Sequence, residues 1–317
     1  MFANLLHIPA PAVLKFLCLP LGLLTLISLA LLWRRYRRPL ASHHELVMRV
    51  KTFWIIVGLL TLSLCLQKTW AILFWGGISY LALKEYFTII PTRQVDRRII
   101  FWAYVSIPIQ YYWIIQDQYG LMAIFIPVYV FLFLPLRMVL LGATQGFLRA
   151  LGTIHWGVMM MVYCLSCIAG LYVLPSAMNT SGAGIPGLIF YLLFLNQLND
   201  ASQFLWGKIL GRHKIIPKVS PNKTIEGWVG GMGTTMVFAY LLSPYLTPFS
   251  AGESWLLGGV IGAAGFIGDV IISALKRDLG IKDTGNLLPG HGGLLDRIDS
   301  LLYTAPLYFH VIRYYYT

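Results

Sequence analysis

Long apolar runs broken by short, mostly cationic segments set the pattern of this chain. Crossing a bilayer core takes about 20 mainly apolar residues in a helix. Ten such runs can be marked, at roughly 12–33, 50–67, 70–90, 99–116, 119–141, 152–174, 186–206, 228–247, 255–275 and 298–315. The pattern predicts an all-α fold, a polytopic transmembrane bundle of about nine to ten spans with a polar cavity facing the cytoplasm. The first run is followed by Arg34, Arg35, Arg37 and Arg38 instead of a small-residue cleavage site, so it is predicted to stay in the mature protein.

The runs change character near residue 185. Before it they are aliphatic and aromatic and offer no evident chemistry; after it they carry Gly, Asn, Asp and Gln. This divides a single bundle into supporting helices, 1–185, and a catalytic region, 186–317. In the seventh run Asn196, Asp200, Gln203 and Gly207 recur at helical spacing, and in the ninth Gly258, Gly262, Gly265, Asp269, Ser273 and Lys276 do the same. Small residues at that spacing let helices approach closely. Ionised carboxylates facing lipid are costly, so Asp200 and Asp269 are expected to face a hydrated or metal-containing interior, or else cationic partners that fix packing.

Composition places the chain in the membrane. Of 317 residues 58% are hydrophobic and 11% charged, against about 25% charged in soluble domains, and mean hydropathy is +0.71. The formal net charge is +12, but 20 of the 24 Lys and Arg fall in alternate connections. That distribution is a topology signal, cytoplasmic by the positive-inside rule, with attraction to anionic membrane lipids. It leaves no need for nucleic-acid binding. Cys164 and Cys167 form a C-x-x-C pair inside an apolar run, where packing explains them better than a metal site.

Chemistry concentrates in two connections. Residues 273–299 crowd Lys276, Arg277, Lys282 and Arg297 together with Asp278, Asp283, Asp296 and Asp299 around a P-G-H-G-G turn. Residues 207–227 hold five cations and an S-P-N-K-T core, in which Ser220, Lys223 and Thr224 suit phosphate oxygens. A Lys-rich loop alone is usually a solvated topology signal. Cations and carboxylates meeting at one membrane face are what metal-assisted phosphoryl or nucleotidyl transfer needs.

These residues resemble the CDP-diacylglycerol synthases, the phosphatidate cytidylyltransferases. The long signature of that family is matched by Ser273, Lys276, Arg277, Lys282, Asp283, Pro289, His291, Gly292, Gly293, Asp296, Arg297 and Asp299, and its S-P-x-K-T-x-E-G element by Ser220 through Gly227. Gln203-Phe204 and Ile225 depart from it, which points to a divergent paralogue with altered lipid preference or reduced activity. The resemblance implies transfer of a cytidylyl group from CTP to phosphatidic acid, with Mg²⁺, a neighbouring K⁺ and a homodimer, in the inner (plasma) membrane with the site on the cytoplasmic side. It implies Asp269 and Asp296 as metal ligands, with Asp299 and Asp283 next to them. Lys223, Lys276, Arg277 and Arg297 would contact phosphates, although Arg297 could equally be a salt-bridge partner. Ser220, Thr224 and His291 would donate hydrogen bonds. Two other readings stay open: a CTP-dependent transferase or kinase acting on another lipid, and a transporter. Against the transporter, the charges gather at one face and not at the midplane.

Overall fold

A computed structural model describes residues 5–37, 44–93, 96–142, 144–285, 287 and 292–316. Helices occupy all ten predicted runs. They are α1 (Pro11–Arg37), α2 (His44–Cys65), α3 (Lys68–Ile89), α4 (Arg97–Ile115), α5 (Tyr119–Leu140), α6 (Phe147–Leu171), α7 (Gly184–Leu210), α8 (Ile225–Leu246), α9 (Ala251–Asp278) and α10 (Leu295–Tyr316). The protein is a polytopic helical bundle. A π-helical stretch, Phe125–Val130, interrupts α5, where Pro127 removes a backbone donor.

Five helices, α1, α2, α5, α6 and α9, are both long and apolar enough to cross a membrane. The others run from 19 to 27 residues, so length is not what sets them apart, at about 1.5 Å per residue. Their polar side chains lower the average. In α7, Asn196, Asn199 and Gln203 are buried inside the bundle and not turned to the outside.

Close helix contact explains the glycines. A Cβ at Gly265 of α9 would sit 2.9 Å from Asn199 Nδ2, and one at Gly268 would sit 2.5 Å from the Asp299 carbonyl oxygen of α10. Bare backbone at these two positions lets α7, α9 and α10 meet where the acids lie. The ends of α9 are set by its sequence: Ser250 and Glu253 form a reciprocal capping box at its start. Cys164 and Cys167 are free and buried in α6, consistent with packing.

Candidate active site

The cationic connections gather at one end of the bundle. An Arg93 guanidinium nitrogen donates to the Gln145 carbonyl, Arg277 Nε donates to the Val219 carbonyl at 3.2 Å, and Thr284 Oγ1 donates to Glu85 Oε1 at 2.6 Å. These bonds tie the α3–α4 connection to the α5–α6 connection, the last turn of α9 to the α7–α8 connection, and the α9–α10 connection to the later part of α3. The two chemically rich segments therefore share a mouth.

The α7–α8 loop folds back on itself. Ile215 and Lys223 pair N–H to carbonyl at 3.2 Å, as do Ile225 and His213 at 2.9 Å. Ser220 and Lys223 close a turn at 3.3 Å with Pro221 at its second position, which presets the backbone. Glu226 staples the loop's entry, accepting from His213 Nδ1 at 2.6 Å and from the Arg212 N–H at 3.0 Å. It stands at the mouth, ahead of the apolar run from Trp228. The His213 hydrogen bond, helped by backbone donors, holds its carboxyl down at about 2. Thr224 is expected from sequence to donate to a ligand. It is instead buried as the N-cap of α8, accepting from the Gly227 N–H at 3.1 Å and packed against Gly207 and Gly211. The geometry makes it a helix cap. Ser220 stays half-buried in its turn.

Lys223 is the link between the segments. Its Nζ lies 2.5 Å from Asp269 Oδ2, 3.2 Å from Gln203 Oε1 and 4.9 Å from the centre of the Phe266 ring. Ser273 Oγ donates to the other Asp269 oxygen at 3.2 Å. Asp200, Asp269 and Asp299 stand close enough to repel one another. Ser300 Oγ bridges two of them, at 3.0 Å from both Asp200 oxygens and 3.4 Å from Asp299 Oδ1.

Can this set hold the implied Mg²⁺? Among the described residues no three His, Cys, Asp or Glu side chains converge as a ready-made metal cage. Mg²⁺ seldom asks for one; it keeps waters and takes one or two carboxylates plus substrate phosphates. Three mutually repelling carboxylates with hard oxygen donors fit that mode. Asp269 and Asp299 belong to this cluster, together with Asp200.

Asp296 is engaged separately. Its Oδ1 binds Lys276 Nζ at 2.7 Å, and its Oδ2 accepts from the Thr284 and Gly293 N–H groups at 2.9 and 3.0 Å. The pair is shielded, with Asp296 5% and Lys276 14% exposed. Arg277 and Asp283 are exposed at the rim. Arg297 faces inward: its Nε is buried without a hydrogen-bond partner, it is near enough to Asp200 to feel its charge, and it lines a cavity of about 140 Å³ among α2, α3, α7 and α10. Leu59, Leu60, Phe74, Ile78 and Leu193 make that groove apolar, and the exposed Gln197 joins Arg297 at its polar end. A larger cavity, about 1140 Å³, lies against a different face of α9, beside Arg93, Arg149 and Asp278, away from the three acids. His291 and Pro289 lie outside the described residues.

Sequence reasoning passes over two residues here, Glu85 and Thr284. Glu85 of α3 reaches the α9–α10 connection; a carboxylate inside an apolar run was the signal. Thr284 joins Glu85 to Asp296. Gln203, a departure from the resembled pattern, touches Lys223 and leaves its own Nε2 buried and unpartnered.

The chain is similar to known proteins. The chain is 44% identical over 292 residues to YnbB of Escherichia coli K12, a protein described as uncharacterized, with 92% of this chain and 94% of that one covered. It is 42% identical over 122 residues to a phosphatidate cytidylyltransferase of Staphylococcus aureus strain COL, and 38% identical over the same length to one of Staphylococcus haemolyticus. Those alignments take in 38% of this chain and 46% of each enzyme. Residues 47–315 match the family profile as a whole, and the chain belongs to the cytidylyltransferase family.

Proposed function

We propose that the protein transfers a cytidylyl group from CTP to phosphatidic acid, releasing pyrophosphate and giving CDP-diacylglycerol for phospholipid synthesis. The observation that carries the reading is the Lys223–Asp269 contact, which brings the phosphate-suited loop onto the carboxylate cluster. Acids for a hydrated cation and bases for a triphosphate then occupy one mouth, facing the cytoplasm of an inner-membrane protein.

A phosphate monoester is already anionic at neutral pH, so the acceptor oxygen attacks the α-phosphorus of CTP without a strong base. The bond to the β-phosphate oxygen breaks as the new P–O bond forms. Asp269 and Asp299, with Asp200 beside them, would hold Mg²⁺, which when bound would supply charge neutralisation for the triphosphate and the departing pyrophosphate, with K⁺ as the second ion of the resemblance. The chain's own work is positioning and electrostatics. Lys223 is held at Asp269 to meet phosphate oxygens, Arg277 waits at the rim, and the Lys276–Asp296 pair fixes one wall. Arg297 offers its unpartnered Nε to the lipid phosphate, while the apolar groove beneath it receives acyl chain.

Purified protein in detergent, given labelled CTP and phosphatidate with and without Mg²⁺, is expected to form a cytidylyl lipid and pyrophosphate in equal amounts. Absence of both ends the proposal. A second reading, transfer to another phospho-lipid, is favoured by Gln203 beside Lys223. A panel of lipid acceptors separates the two by which lipid carries the nucleotide.

A further inference from the structure

From the six N-terminal helices Glu85 of α3 brings a carboxylate to the mouth, and its bonds run to the groups that set where α10 begins. Glu85 Oε2 accepts from the Leu294 N–H at 2.7 Å, and Oε1 accepts from the Leu295 N–H at 3.0 Å and from Thr284 Oγ1 at 2.6 Å. A Cβ at Gly293 would overlap both Glu85 and Thr284. The carboxylate thus lies in a cradle of bare backbone. Thr284 Oγ1 also stands 3.0 Å from Asp296 Oδ2.

The first N–H groups of a helix lack partners within it, and its N-terminus carries partial positive charge. A side chain just ahead of the helix usually meets that need. For α10 it is met from α3, more than 200 residues earlier in the chain. A slip of the whole of α10 by one residue against its neighbours would turn every side chain along it by about 100°. Asp296, Arg297 and Asp299 all lie within the first turns after this anchor.

We propose that Glu85 is a positioning residue for cytidylyl transfer. Capping α10 from α3, it fixes the rotation at which Asp299 meets Asp200 and Asp269, and through Thr284 it holds Asp296 against Lys276. Glu85 reaches no reacting group in this arrangement; it acts through the residues that do. The inference rests on the site proposed above.

The test uses the full-length protein in detergent as wild type, Glu85→Gln, Glu85→Asp, Thr284→Val and the Glu85→Gln/Thr284→Val double variant. Glutamine keeps the size but turns one acceptor into a donor facing N–H groups. It is expected to lower kcat about 10- to 100-fold, the usual cost of losing a supporting partner of a metal-site ligand, while raising KM for CTP far less. Glu85→Asp is expected to recover part of kcat. The double variant should be little worse than the more damaged single one, since coupled residues are not additive. Amide hydrogen exchange at 293–297 should quicken in Glu85→Gln, with α7 and α8 still protected.

Unchanged kcat in folded Glu85→Gln, strictly additive losses, or unchanged exchange at 293–297 each overturns the proposal. So does a kcat loss that only follows the unfolded fraction in a thermal melt. Should Glu85→Gln fail to fold, Thr284→Val alone must show the lowered kcat. If wild-type protein turns over no CTP, the proposed function has failed, and the exchange measurement still decides whether Glu85 sets the start of α10.

Discussion

The interior of the first six helices and that of the last four both bury polar groups, but to different ends. In the first region neutral groups meet partners across helices, and the buried Asp96 lies in the α3–α4 connection, paired with Arg93. Ser79 Oγ lies 2.7 Å from Tyr111 Oη, Gln110 Nε2 donates to Ser166 Oγ at 3.0 Å, and Ser63 Oγ lies 2.8 Å from Tyr172 Oη. In the second they are charged and clustered by sign: Asp200, Asp269 and Asp299 together, with Lys223 bonded to one of them. Neutral pairs are enough to register helices against each other. Repelling acids cost stability, and a fold keeps them where a ligand will offset the cost.

The strongest way to break this comparison is to neutralise the second region. Asp269→Asn and Lys223→Ala are each expected to lower CTP-dependent product formation by at least about 100-fold, the range seen when a group that stabilises transition-state charge is removed. Membrane insertion and helix content, checked by fractionation and circular dichroism, should stay unchanged. Normal turnover in either variant would make the cluster structural.

A smaller effect is expected from forcing the two facing helices apart. Gly268→Leu places carbon against the Asp299 carbonyl oxygen, where a Cβ alone comes within 2.5 Å. Overpacking of this kind costs about 1–3 kcal/mol, seen as a lower unfolding midpoint. Turnover should fall with it, because the shifted backbone belongs to Asp299. A variant that is destabilised yet fully active would separate packing from chemistry.

In the first region the counterpart is Ser79→Ala. Tyr111 Oη keeps its bond to the Trp75 carbonyl at 3.0 Å, so the loss is a single neutral hydrogen bond, about 0.5–1.5 kcal/mol. The folded variant is expected to match wild-type kcat, and a marked loss would show that this interior also serves catalysis.

The smallest expected effect concerns acid. The Glu226 carboxyl is lowered from 4.5 to about 2 in the folded protein. Its contribution to the loop staple is therefore complete above 4.5, weakens below it and is gone once pH falls through about 2. Limited proteolysis of the 211–224 loop should show constant protection above pH 4.5 and a progressive loss between 4.5 and about 2; protection that already falls well above 4.5 would mean that Glu226 does not hold the loop.

Much of the site could be read from the chain. Asp200, Asp269 and Lys276 announce themselves as charges at helical spacing in apolar runs, and Lys223 as the cation of a Pro-fixed turn. Thr224 shows where such reading stops: the same hydroxyl suits a phosphate or an N-cap, and only the burial of the α7–α8 junction chooses the cap. Asp296 and Asp299 look alike from their spacing, three apart on one helix. Packing engages Asp296 with Lys276 and Thr284 and brings Asp299 to the acids.

By itself the sequence determined that this is a helical membrane protein, where its helices run, and which two connections gather the cations and carboxylates, because hydrophobic periodicity and charge are local properties. Tertiary structure decided which carboxylates share a space and that α3 completes the mouth through Glu85. Those are matters of distance between residues as far apart as 85 and 295. No local pattern encodes a distance that only the packing of intervening helices sets.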